Sequence, residues 1–372
     1  MVVRPRRPLR LSQLAGPRLH EVWRSIGDGR KGFVGSALRE KDAFWDGDAF
    51  WQSGIRIMDD AELSLAALAR KNGAAMSTAA RRSAPSDAPS RGSGLMAGKR
   101  GLVMGVANDH SIAWGIAKML HAEGAALAFT YQGNALGKRV RPLAASLGSS
   151  IVEPCDVEDI GSIEALFATL ATTWGGLDFV AHAIAFSDKN ELKGRYADTT
   201  RENFARTMLI SCFSFTEIAR RAVPLMRPGS ALLTLTYDGS NRVMPNYNVM
   251  GVAKAALEAS VRYLAADFGP EGIRVNAISA GPVRTLAGAG IADARLMFNF
   301  QKRHAPLRRS VSIEEIGSAG LYLLSDLSSG VTGEIHYVDS GYNIVSMPHP
   351  EALKTVDAAE TAAESSSGEK ES

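Results

Sequence analysis

The sequence predicts an α/β fold built on a parallel sheet, and two observations carry the prediction. From Gly98 onward short apolar runs alternate with helix-like stretches, and those stretches are about 10–20 residues long, the length of a crossover helix. The first apolar run, residues 101–106, leads into a helical stretch from Ile112 to His121 and a second run from Ala125 to Tyr131. A helix around residues 136–147, a strand near Ile151 and a helix over 160–172 follow. The pattern continues with a strand over 177–182, a long helix over 202–222, a strand over 231–236, a helix over 247–268 and a strand over 273–278. A helix over 313–324 and a strand over 334–338 close it. Such units make a sheet covered on both faces, and right-handed crossovers give a single doubly wound, Rossmann-type domain over residues 96–347.

A hydrophobic content of 45% with 22% charged residues is that of a globular chain. No apolar run approaches the roughly 18 residues of a spanning helix, so no membrane insertion is expected. Two cysteines, Cys155 and Cys212, build no disulfide framework and point to a reducing, cytoplasmic compartment. The seven histidines show no metal-ligand spacing, so no metal is expected. Residues 1–95 carry 16 of the 42 Lys+Arg and 10 of the 39 Asp+Glu, a net +6, which leaves the rest with 26 and 29, a net −3. The basic balance belongs to the N-terminal quarter, and the main body has no charge attraction for nucleic acid.

Those first 95 residues lack a clean period and close on a Ser-, Ala-, Pro-, Arg- and Gly-rich linker over 77–94, so a poorly structured extension is expected. Its Arg-rich start raises a transit peptide, against which Asp42, Asp46, Asp48, Asp59 and Asp60 argue. A translation start at Met76 or Met96 is the preferred reading. Residues 348–372, rich in Ala, Glu and Ser, read as an acidic, disordered tail.

The turn after the first strand, residues 105–113, is where a dinucleotide's pyrophosphate should meet a helix N-terminus. It is not a G-x-G-x-x-G fingerprint, but Gly105 allows the tight turn, and Ser111 can cap the helix and donate to phosphate. A plain strand–turn–helix junction reads equally well. Gln132, ending the second strand, can hydrogen-bond a ribose; Asp156, after the third, is placed for the adenine edge or as a helix N-cap. Tyr247 and Lys254 are seven residues apart, about 700° of helix, so they share a face with ~10.5 Å of rise between them. The ammonium can then bind ribose hydroxyls while the phenol faces the reacting carbon, and a nearby cation favours proton donation or a tyrosinate. Tyr237 ends a strand at its carboxyl end, where open α/β sheets place ligands, although packing alone explains many such tyrosines. Gly281-Pro282 after the next strand breaks the sheet and exposes backbone groups to a nicotinamide.

On residues 105–115, 129–132, 155–157, 245–254 and 279–287 the sequence resembles the bacterial enoyl-[acyl-carrier-protein] reductases, NADH-using members of the short-chain dehydrogenase/reductase superfamily. The similarity runs from about Met96 to Met347 and includes Gly333-Glu334 and the turn at residues 339–341. The wider superfamily spaces its tyrosine and lysine four apart; the seven-residue spacing is that of the enoyl reductases. The resemblance implies that Tyr247 stabilises an enolate at the thioester carbonyl, that Lys254 binds the nicotinamide ribose, and that Tyr237 is a second tyrosine near the substrate. It places Gly105, Ser111, Ile112, Gln132, Asp156, Val157, Ile184, Val283, Arg284, Thr285, Leu286 and Ala287 on NADH, and Ser187 on substrate. It further implies conjugate reduction of a trans-2-enoyl thioester, an acyl carrier protein as partner, and a homotetramer.

Some positions depart from that pattern. Ala185 stands where many members carry glycine, and its methyl is expected to narrow the pocket and weaken binding of flat diphenyl-ether inhibitors. Arg295 is in place for carrier docking, but Ala292 and Leu296 replace usual positive charges; Lys302, Arg303, Arg308 and Arg309 compensate or form a solvated helix face. Residues 288–290 with Met297–Phe300 are expected to form a mobile apolar lid, a reading compatible with an amphipathic helix. A superfamily carbonyl reductase and a cofactor-binding paralogue without turnover are the alternatives.

Overall fold

The structure, a computed structural model, describes residues 93–286 and 294–347. Residues 1–92 of the expected 1–95 extension, the tail over 348–372 and the segment that includes Ala287, Gly288 and Ala292 lie outside the described residues. Ser93 and Leu95 bond the Glu123 carboxylate and Met96 is fully buried, so the last residues of the expected extension are tied to the folded domain.

Seven strands form one parallel sheet in the order β3–β2–β1–β4–β5–β6–β7. They are β1 (Arg100–Met104), β2 (Ala126–Tyr131), β3 (Ile151–Pro154), β4 (Leu177–His182), β5 (Met226–Thr236), β6 (Arg274–Ala280) and β7 (Ile335–Val338). The helices are α1 (Ile112–Ala122), α2 (Gly133–Ser146), α3 (Ile160–Trp174), α4 (Arg201–Met208), α5 (Ser214–Ala222), α6 (Asn248–Phe268), α7 (Ala294–His304) and α8 (Ile313–Leu324). Because side chains alternate across a strand, each strand feeds two cores. Val103, Phe129, Phe179 and Leu233 pack with Trp114 and Ile116 of α1 and Ile316 and Leu323 of α8. Leu102, Val180, Leu232 and Val275 pack on the other face with Ile163 of α3, Phe215 of α5 and Leu257 of α6.

The expected single helix over 202–222 is interrupted by a π-helical turn, Leu209–Phe213. In that stretch the Ser211 hydroxyl accepts from the Phe186 N–H and donates to the Phe186 carbonyl, both at 2.9 Å, while Ser214 sits 3.0 Å from His182 Nε2. The turn and the first residue of α5 thus aim two hydroxyls at β4 and the loop after it, which no periodicity in the sequence announces. Strand order reverses between β1 and β4, the switch point where ligands of open α/β sheets bind.

Candidate active site

The loops at the carboxyl ends of β1, β4, β5 and β6 open onto one cavity of about 500 Å³. Gly105, after β1, adopts φ +91°, and a Cβ there would stand 2.1 Å from the Ala183 carbonyl oxygen, so only glycine lets the two loops approach. Ser111 occupies the N-cap position of α1 without capping it. Its hydroxyl turns back instead and accepts from the Ala107 and Asn108 N–H groups at 3.0 and 3.1 Å. This corrects the expected cap: the loop's own amides compete for the one hydroxyl and win. The first turn of α1 is therefore left without a side-chain cap, and Ile112 and Ala113 bring that electropositive end to the cavity wall.

Tyr237, Tyr247 and Lys254 line the same cavity. Tyr237 directly follows β5, and Tyr247 directly precedes α6, between Asn246 at φ +59° and Asn248 at φ +39°. Asparagine tolerates that left-handed backbone better than most residues, which suits it to a sharp helix entrance. The two tyrosine rings meet edge-on, with centroids 5.3 Å apart and planes at 75°. Lys254 is buried and donates to the Leu235 carbonyl oxygen at 2.8 Å.

Burial governs the charges here. The neighbouring ammonium is expected from sequence to pull the Tyr247 phenol down, and the structure reverses this. Desolvation, followed by Tyr237 and Glu258, holds the phenol well above its ordinary value, so at neutral pH it is a proton donor and not a tyrosinate. Tyr237 is pushed up to about 12, again by burial, with the Gln301 hydrogen bond opposing. Burial pulls Lys254 down to about 8, against Cys212 and Glu258. His182, held between Ser214 and Thr234, is pulled down to about 3 by burial and then by Lys254, and is neutral.

A buried tyrosine and a buried lysine thus line one cavity at the switch point of a doubly wound sheet. The family model described as enoyl-(acyl carrier protein) reductase matches residues 105–343. The chain belongs to this family. It is 74% identical over 265 residues to enoyl-[acyl-carrier-protein] reductase [NADH] 2 of Rhizobium meliloti, covering 71% of this chain and 99% of the relative. Among solved structures it is similar to FabI from Candidatus Liberibacter asiaticus, with 62% identity, a TM-score of 0.67, and 68% of this chain and 99% of that one covered. It is likewise similar to the enoyl-(acyl-carrier-protein) reductase of Anaplasma phagocytophilum in complex with NAD, with 58% identity, a TM-score of 0.67, and 68% and 97% covered.

The other residues expected for an enoyl reductase divide into two groups. Ile184, Ser187, Val283, Thr285 and Leu286 line the cavity with Gly105, Ser111 and Ile112, whereas Arg284 is exposed and does not. Ser187 is held by the Thr207 hydroxyl at 2.9 Å. Gln132, Asp156 and Val157 lie apart from this cavity, at the carboxyl ends of β2 and β3. There the Gln132 amide donates to an Asp156 oxygen at 3.0 Å, and the other Asp156 oxygen accepts from the Glu158 N–H. The N-cap of α3 is Asp159, not Asp156. Sequence reasoning missed Leu192, Met244 and Met250 in the cavity wall, and Gln301, whose amide donates to the Tyr237 hydroxyl at 2.6 Å. Met244 and Met250 lie three residues either side of Tyr247 and could have been found; Gln301 lies 64 residues from its partner and could not. Of the expected lid, Met297 and Phe298 line the cavity. Among the described residues, no group of three or more His, Cys, Asp or Glu could hold a metal ion, and no helix is long and apolar enough to cross a membrane.

Proposed function

We propose that this chain reduces the trans-2 double bond of enoyl-[acyl-carrier-protein] thioesters with NADH, the last step of the fatty acid elongation cycle. The convergence of Tyr237, Tyr247 and Lys254 on one apolar cavity beside the uncapped start of α1 carries this reading. The donors suit the cofactor: helix N–H groups and Ser111 for the pyrophosphate, an ammonium for ribose hydroxyls, Ile184 and Val283 as apolar walls, and the Gln132–Asp156 pair for the adenosine end. NADH, when bound, supplies the hydride for C3. Tyr247 then donates to the thioester carbonyl oxygen as negative charge builds there, and Tyr237 and Ser187 border the acyl group.

Lys254 provides a pH test of its role. Burial pulls its ammonium down to about 8, from 10.5 for an unburied lysine. The cationic form that grips ribose is therefore present below about pH 8 and lost above it. NADH affinity should fall as pH rises through that value, whereas Lys254→Met should bind weakly with no such step, as isothermal titration would read.

For the carrier protein, Lys302, Arg303 and Arg308 line a second cavity, of about 410 Å³, on the outer side of α7. Arg309 is spent on a two-pronged ion pair with Glu315, so it does not offer free charge to a docking partner. Exposed Phe204, Leu209 and Phe213 along α4–α5, with Val252 and Tyr263 on α6, supply apolar helix faces for a homotetramer in the cytoplasm. Ala185 lines the cavity. Removing its methyl in Ala185→Gly should tighten binding of a diphenyl ether by about 1 kcal/mol, the scale of one methyl in a close-fitting pocket; equal inhibition of both proteins would exclude that effect.

The deciding experiment is NADH oxidation by the full chain with a trans-2-enoyl thioester, against a β-ketoacyl thioester control. Turnover with the enoyl substrate alone is expected. Turnover with the ketone alone would favour a superfamily carbonyl reductase, and silence with both would favour a non-catalytic paralogue.

A further inference from the structure

We infer that Gln301 is a positioning residue, whose side-chain amide donates to the Tyr237 hydroxyl and thereby turns the phenolic proton into the substrate cavity. The inference rests on the reductase reading above. Its starting point is an inversion in α7: the helix buries polar Gln301 and His304 while exposing apolar Leu296 and Phe300. Gln301 is 4% exposed, against 69% for Leu296 and 45% for Phe300. A buried carboxamide is costly unless fully hydrogen-bonded, and the Gln301 Oε1 atom is buried without a partner. An apolar side chain of the same size would suit the packing better, so what the amide contributes is the contact its Nε2 does make, 2.6 Å to Tyr237.

The consequence follows from valence. A phenolic oxygen carries one proton and accepts through its lone pairs. With Gln301 donating from the side of α7, the Tyr237 proton is left free for an acceptor in the cavity that Tyr237 lines. A hydroxyl that accepts one hydrogen bond is also polarised to donate another more strongly. Met297, one turn before Gln301 and on the same helix face, is itself in the cavity wall, so the seating of α7 and the aim of Tyr237 are set together.

The test uses two variants of the full chain. Gln301→Met keeps the volume and removes the donor; kcat should fall roughly tenfold, the worth of one neutral hydrogen bond, with the KM for NADH within about twofold and no loss of thermal stability. Gln301→Glu should be active at low pH, where the protonated carboxyl still donates. It should lose activity as the carboxylate forms and takes the phenolic proton for itself, a limb that the parent and Gln301→Met lack. The other groups facing Tyr237 are unchanged in both variants: Asp238 beside it, Asp339 and Tyr342 from the segment after β7, and Tyr247 across the ring contact.

A readout independent of turnover separates this inference from the reductase reading. With 3-fluorotyrosine at position 237, the ¹⁹F titration midpoint should move upward in Gln301→Met, because the phenolate loses its N–H donor. An unmoved midpoint overturns the contact, and a moved midpoint with unchanged kcat overturns its catalytic consequence. A parent protein that turns over no enoyl thioester removes the reductase reading while leaving the fluorine shift to be read.

Discussion

Tyr247→Phe is expected to lower kcat by about 10²–10³, with a much smaller change in KM. The magnitude is that of a donor aimed at an oxygen that becomes charged only in the transition state, about 2.7–4 kcal/mol. Ground-state binding changes little because the thioester carbonyl is nearly neutral before reduction, so the loss belongs in kcat. The fold should be undisturbed. The Tyr247 ring packs closely over Gly239, where an added Cβ would stand 2.5 Å from it, and it meets Tyr237 edge-on; phenylalanine keeps both contacts. Steady-state kinetics with an enoyl thioester at saturating NADH is the measurement, and an unchanged kcat removes Tyr247 from the chemistry. Because burial holds the phenol protonated, the parent's dependence on Tyr247 should be flat across neutral pH.

Arg274→Met is expected to destabilise the protein by about 1.5–3 kcal/mol, the worth of hydrogen bonds from a charged donor to buried neutral acceptors. Arg274 opens β6 and is buried. Its guanidinium donates to the Leu323 carbonyl at 2.8 Å, the Ser328 hydroxyl at 2.7 Å and the Ser325 carbonyl at 3.0 Å. Two of those acceptors lie at the C-terminal end of α8, where helix carbonyls lack partners within the helix. Methionine fills most of the space but returns no donor. Denaturant titration should show an earlier midpoint with an unchanged slope. The opposite end of β6 carries the loop that enters the active site, yet at temperatures where the variant is folded its KM for NADH should match the parent's. A loss below about 1 kcal/mol would mean that water replaces the guanidinium.

What was legible in the sequence was whatever depends on neighbours along the chain. The apolar runs of β1, β4, β5 and β6 place those strands within a few residues, because burial on both sheet faces demands such runs. The seven-residue step from Tyr247 to Lys254 and the motifs around Gly105 and Gly281 suffice to reach the family, and they bring the reactive side chains to one end of the sheet. Gly105 reads as a residue that allows a tight turn, and the Ala183 carbonyl packed against it makes glycine a requirement.

The tertiary structure alone decided how those groups behave. Tyr247 and Lys254 close in sequence suggest a lowered phenol; desolvation by the segments packed over it, with Tyr237 and Glu258, raises it instead. Ser111 looks like a cap until the fold of residues 107–108 claims its hydroxyl. Asp156 reads as an adenine contact or an N-cap; the fold gives the cap to Asp159 and brings Gln132, 24 residues earlier, against Asp156. Gln301 gives no signal at all, since a polar residue on an amphipathic helix reads as solvated. The reason is common to all four: periodicity encodes which side of an element is apolar, whereas hydration and hydrogen-bond partners depend on what the rest of the chain lays over it.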